Sequence, residues 1–274
     1  MKKFMKTTCF QACLMLTLFS LVFTACKEPG PEPDACALAN EHNEWGYDDF
    51  GGPECWGAVC SEGHCFGDAQ SPVNITGWVT SSSVSTISYS PANTKANIVH
   101  NGHTIQFNMD PGTFCTMGKT FNNLFNDFTL GQFHFHVNSE HQINGAYAPM
   151  EMHMVHRNIW EDKYLVVSLM FKEGAENPFL KRFIPHIPAS NTQSPFVNAD
   201  STFSAYDILP QDKDFYTYQG SLTTPPCTEV VTWAIFENQV EASVAQIEAI
   251  AALLPENFRP IQPLNSRTIS HVQY

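Results

Sequence analysis

Basic side chains are scarce in this 274-residue chain. It carries 14 Lys and Arg against 27 Asp and Glu, for a formal charge of −13, and so lacks the basic footprint that nucleic-acid binding requires. Its 15 glycines and 18 prolines follow no collagen-like period. No Cys-x-x-Cys pair occurs, which leaves a cysteine zinc ribbon unsupported. After Trp45 there is no repeat, low-complexity block or second linker, so the pattern is that of one domain over residues 42–274 rather than an array. What the chain has in quantity is apolar bulk: 43% hydrophobic and 12% aromatic residues, including 21 Phe, enough to bury a core and to exclude disorder.

Nine cysteines are many for a reducing compartment, and the first 25 residues point to a different one. Lys2, Lys3 and Lys6 precede an apolar run over residues 9–25, somewhat short for a membrane span, that ends in Thr24-Ala25 before Cys26. The pattern resembles a bacterial lipoprotein signal, with Phe23 where Leu is usual. It implies cleavage before Cys26, lipidation of Cys26 and attachment to a membrane by acyl chains alone. An ordinary secretory signal cut nearby is the alternative. Both export the chain to the cell envelope, periplasm or outer surface. Residues 26–41, Pro-rich and acidic, read as an extended tether. Removal of the signal and lipidation of Cys26 leave Cys36, Cys55, Cys60, Cys65, Cys115 and Cys227 free to pair. An even number of cysteines in an oxidising compartment reads as disulfides, and their pairing is not legible at this point.

The remainder reads as strands punctuated by turns. Asn101-Gly102 marks a tight turn inside residues 96–109, and Ile105, Phe107 and Met109 alternate after it. Residues 130–137, 150–156, 164–171 and 228–236 have strand composition, and the nearly continuous apolar run at 164–171 predicts a strand covered on both faces. Two helix starts are predicted: Asn177-Pro178 as N-cap and first position, and Ser243 with Gln246 as a capping box. The fold class is mainly β, a large, mostly antiparallel twisted sheet with short peripheral helices.

Residues 131–156 carry the chemistry. In a strand, residues two apart share a face, so Gln132, His134 and His136 project together while Phe133 and Phe135 turn to a core. A second strand, beyond the Asn144-Gly145 turn, places Glu151, His153 and Val155 on one face. Pairing of the two strands brings three imidazoles together, a donor set that suits Zn²⁺ at ~2.0–2.1 Å and leaves a fourth position open, as catalytic zinc requires. Gln132 and Glu151 are placed to accept the other ring N–H of a ligand and fix its tautomer. His141 and His156 read as scaffold histidines.

These residues resemble the alpha-class carbonic anhydrases. The likeness runs from about Trp45 onward: QSPVNI at 70–75, NGH at 101–103, QFHFH at 132–136, SEH at 139–141, Gly145, EMHMVH at 151–156, GSLTTPP at 220–226, Trp233, and NFRPIQPLN at 257–265. The short loop after His136 is similar to that of bacterial members; Val137 stands in place of a usual aromatic. The resemblance implies reversible hydration of carbon dioxide to bicarbonate and a proton by a zinc-bound hydroxide, with His134, His136 and His153 as Zn²⁺ ligands. It implies that Thr223 orients the hydroxide and passes its own proton to Glu140, and that His103 shuttles protons; His100, beside the same turn, is the alternative shuttle. Gln132, Glu151 and the Asn257 carbonyl become supports for the ligands. Val155, Val166, Leu222, Thr224, Val231 and Trp233 become the substrate pocket, and Cys65 and Cys227 a disulfide. Sulfonamides and small anions become expected inhibitors. The competing reading is an envelope adhesion module of the same fold without turnover.

Overall fold

The β-branched and aromatic runs pair into one thirteen-stranded mixed sheet. The computed structural model describes residue 36 and residues 45–48, 51–59, 64–81, 86–90, 93–110, 116–121, 124–158, 160–197, 202–254 and 256–273. The signal, Cys26, Cys60, Cys115 and most of the tether lie outside the described residues. The principal strands are β1 (Ala96–His100), β2 (Ile105–Met109), β3 (Leu124–His136), β4 (Met150–Asn158), β5 (Lys163–Glu173), β6 (Phe215–Gly220), β7 (Val231–Phe236) and β8 (Ser270–Val272). They lie side by side in the order β1-β2-β3-β4-β5-β7-β6-β8. Within that series β5 and β7 run parallel and every other neighbouring pair is antiparallel. The expected class, a large mostly antiparallel sheet, holds.

Alternation along the central strands builds two cores. Phe133 and Phe135 of β3, Met152 and Met154 of β4, and Leu165, Val167, Leu169 and Phe171 of β5 are buried on one face. Val166 and Met170 of β5 point the other way, with Tyr218, Val231 and Trp233. Residues 164–171 are apolar almost throughout because both of their faces are covered. The first face is closed by α1 (Pro178–Phe183) and α2 (Val244–Ala251). Asn177 caps α1 by accepting from the Phe179 and Leu180 N–H groups, and Ser243 and Gln246 form the capping box of α2, as their spacing predicts. The two starts are also tied together. Gln246 Oε1 accepts from Asn177 N at 2.7 Å, and Gln246 Nε2 donates to the Asn177 carbonyl at 2.8 Å.

Disulfides join Cys65 to Cys227 and Cys36 to Cys55. Cys36, the one described residue of the segment read as a tether, is half-buried and bonded to Cys55. Among the described residues, no helix is long and apolar enough to cross a membrane.

Candidate metal centre and active site

Register decides which histidines meet. β3 and β4 pair antiparallel with His134 opposite His153 and His136 opposite Glu151, and the three rings of His134, His136 and His153 lie 4.6–5.3 Å apart between centroids. Each ring spends one nitrogen on a protein acceptor. His134 Nδ1 donates to Gln132 Oε1 at 2.9 Å, His136 Nδ1 to the Asn257 carbonyl at 2.5 Å, and His153 Nε2 to Glu151 Oε1 at 2.7 Å. The nitrogens left over are His134 Nε2, His136 Nε2 and His153 Nδ1. The three residues each offer a nitrogen within 4.8 Å of the others, and His136 Nε2 is buried with no hydrogen-bond partner. An orphaned buried imidazole nitrogen is costly unless something binds it. Burial lowers the pKa of all three rings, that of His136 to about 4, so their lone pairs are free near neutral pH. This donor set fits a divalent metal of zinc type.

Glu151 supports more than one ring. It accepts from the backbone N–H groups of Glu140 and His141, from His141 Nδ1, from His153 Nε2 and from the Ser168 hydroxyl, all within 2.5–2.8 Å. Burial alone would raise its carboxyl; the His141 and His153 rings and their hydrogen bonds outweigh that and hold it well below the usual range. Glu140 is the counter-case. Burial pushes it up to about 7, opposed by His153, the Thr223 hydroxyl and the Arg259 N–H. Its Oε2 lies 3.6 Å from His136 Nε2 and 3.8 Å from His153 Nδ1. His141 uses both ring nitrogens, on Glu151 and the Tyr218 hydroxyl, in the manner of a scaffold histidine.

The rings of His134 and His136 open on a cleft of about 140 Å³ lined also by Trp45, Tyr47, Asn101, His103, Gln106, Gln132 and Thr224. His103 reaches it because the turn between β1 and β2 bends the chain: Asn101 Oδ1 accepts from the His103 and Thr104 N–H groups at 2.9 and 2.8 Å. His100 is turned elsewhere, with Nε2 on the Leu253 carbonyl and Nδ1 accepting from Gly102 N. Behind the rings, Val155 and Val166 stand opposite each other, and Val166 opposite Trp233. Val231 belongs to the same buried cluster, and Leu222 packs against it.

Four contributors have no periodic signal in the sequence. Trp45 and Tyr47 line the cleft from outside the sheet. The Asn257 side chain donates to the carbonyls of His103 and Phe135 and accepts from Val137 N, a role invisible beside its backbone contact. Arg259 is buried, donates from its backbone to Glu140 Oε1, and bonds Gln70, Ser71 and Cys65 with its guanidinium.

A mixed sheet that gathers three imidazoles able to hold a metal beside a cleft is the arrangement of a metalloenzyme class, and the comparisons with known proteins name the family. The family model described as eukaryotic-type carbonic anhydrase matches residues 51–273. Carbonic anhydrase of Pectobacterium carotovorum is 37% identical over 238 residues, covering 86% of this chain and 93% of that protein. The carbonic anhydrase of Neisseria gonorrhoeae is 37% identical over 242 residues, covering 86% and 90%. Among solved structures, alpha-carbonic anhydrase of Thermovibrio ammonificans with the inhibitor sulfanilamide superposes with a TM-score of 0.75 at 35% identity, covering 83% of this chain and 98% of that one. The Photobacterium profundum alpha-carbonic anhydrase gives 0.74 at 34%, covering 83% and 100%. The chain belongs to the alpha-class carbonic anhydrases, which hydrate carbon dioxide reversibly to bicarbonate.

Proposed function

We propose that this carbonic anhydrase works with zinc held by His134 Nε2, His136 Nε2 and His153 Nδ1. The observation that carries the proposal is the register of β3 on β4, which brings three histidines, each with an otherwise unspent nitrogen, within 4.8 Å of one another. Gln132, Glu151 and the Asn257 carbonyl keep each ring in the tautomer that leaves the ligating lone pair outward. Zinc, when bound, supplies the Lewis acidity that makes water nucleophilic near neutral pH. Thr223 donates its hydroxyl proton to Glu140, which leaves a Thr223 lone pair facing the cleft to orient the nucleophile toward carbon. Val155, Val166, Leu222, Val231 and Trp233 form the dry wall against which carbon dioxide rests, with Thr224 at the mouth. His103, half-buried and with its pKa lowered by that burial, relays the surplus proton to buffer. Sulfonamides and small anions compete for the open metal position.

The same reading places the enzyme outside the cytoplasm. Residues 1–25 are a signal, Cys26 is the lipidated first residue of the mature chain, and a Pro-rich segment joins it to the catalytic domain. Two disulfides support an oxidising compartment. A Cys26→Ser variant is then expected to leave the membrane fraction and appear as soluble exported protein.

The metal is tested by stopped-flow carbon dioxide hydration together with zinc stoichiometry, before and after chelation. One zinc per chain and chelator-sensitive turnover are expected, and His153→Ala should lose both with its circular dichroism retained. Turnover by a metal-free protein would overturn the proposal.

A further inference from the structure

The Cys36–Cys55 crosslink closes a segment that reaches into the catalytic cleft. Its partners are 19 residues apart, and between them stand Trp45 and Tyr47, both cleft residues. Cys55 is fully buried, and Cys36 and Trp45 pack against it. From that position the Trp45 ring stacks on His103, with centroids 4.0 Å apart and planes 14° off parallel. The far end of the segment is held by Trp56, next in sequence to Cys55. Its Nε1 donates to the carbonyls of Gly46 and Gly51 at 3.0 and 2.9 Å, and its ring meets Trp45 and Tyr47 edge-on, at 5.6 Å from each. The aromatic wall is therefore built on a short strap outside the sheet, and no strand pairing fixes its described residues.

We infer that the Cys36–Cys55 crosslink is a positioning device for proton export: it holds Trp45 against His103 and so sets the orientation of the relay histidine. The inference rests on the reading of His103 as that relay. A strap joined at both ends has few arrangements to lose when it packs, so the stacked geometry is pre-organised. Opened, the chain must order Trp45 and Tyr47 each time the wall forms. On the reading above, carbon dioxide rests against Val155, Val166, Leu222, Val231 and Trp233, none of which stands on the strap. A proton relay that acts after product has left enters kcat and not kcat/KM, so the two constants separate the roles.

The test uses the zinc-loaded protein with both cysteines replaced, Cys36→Ser with Cys55→Ser, beside Trp45→Ala and His103→Ala. In weak buffer, kcat of the double-serine variant is expected to fall about three- to tenfold, kcat/KM to stay within about twofold, and added imidazole to restore kcat. Trp45→Ala, which keeps the crosslink, should show the same restorable loss and decides the matter if the double-serine variant does not fold. Unchanged kcat in either variant at low buffer, or a parallel fall of kcat and kcat/KM that imidazole does not repair, overturns the inference. His103→Ala separates the two layers. A restorable loss there beside unchanged double-serine protein sinks the strap alone, whereas no restorable loss in His103→Ala sinks the relay itself.

Discussion

At the scale of single residues, His156 illustrates how burial turns a histidine into a pH liability. Its Nδ1 donates to the Met154 and Leu165 carbonyls, at 3.0 and 3.2 Å, and its Nε2 lies 3.0 Å from the Tyr206 hydroxyl. Neutral, the ring satisfies these partners; protonated, it would be a buried charge without a counter-ion. Burial accordingly lowers its pKa from 6.5 to about 4. Between those values the unfolded chain binds a proton that the folded chain refuses, so stability rises with pH across the window. It is fully present above pH 6.5 and lost as pH falls toward 4, by about 3 kcal/mol from this residue alone. Urea unfolding of the protein between pH 7 and pH 4 should show this slope, and His156→Gln should flatten it. Strand alternation alone assigns His156 and His153 to opposite faces, which made their different fates legible in the sequence. The partners of His156, by contrast, come from β5 and from Tyr206, 50 residues away, and no local pattern announces them.

At the scale of elements, the strands and both caps were readable because each is a local pattern: period-two alternation, Asn-Pro at one helix start, Ser-x-x-Gln at the other. Coupling between the elements was not readable. Gln246 closes its own capping box and also bonds both backbone polar groups of Asn177 at the other helix. Ser243→Ala removes one cap bond and should cost about 1 kcal/mol. Gln246→Ala strands buried groups at both starts and should cost about 2 kcal/mol, with the larger effect visible in chemical denaturation. Equal losses would mean that the link between α1 and α2 contributes nothing. The β1–β2 turn shows the same limit. Asn101-Gly102 marks a turn, and Gly102 adopts a positive φ of 94° that favours glycine. Strict alternation nevertheless sets His103 and Gln106 on opposite faces, and only the bend held by Asn101 Oδ1 lets both line one cleft.

At the scale of the molecule, the Cys65–Cys227 bridge spans 162 residues and encloses every histidine of the candidate metal centre. Closing so long a loop contributes about 5 kcal/mol in the chain-entropy model. The paired variant Cys65→Ala with Cys227→Ala should show a loss of that order in urea unfolding, and an unchanged midpoint would refute it. The acidic charge suits an enzyme whose substrate is small and neutral, since nothing has to be steered by charge. Periodicity and turn chemistry by themselves determined the class and the faces on which Gln132, His134, His136, Glu151 and His153 lie, because each is a consequence of neighbours within a few residues, and the order of the motifs along the chain carried the resemblance to the family. Only the tertiary structure decided the partner of Cys36, the carboxylate with five donors at Glu151, the buried bonds of Arg259 and the strap that lays Trp45 on His103. Those depend on which distant segments share a neighbourhood, and that is set by the sum of packing over the whole sheet rather than by any stretch of chain.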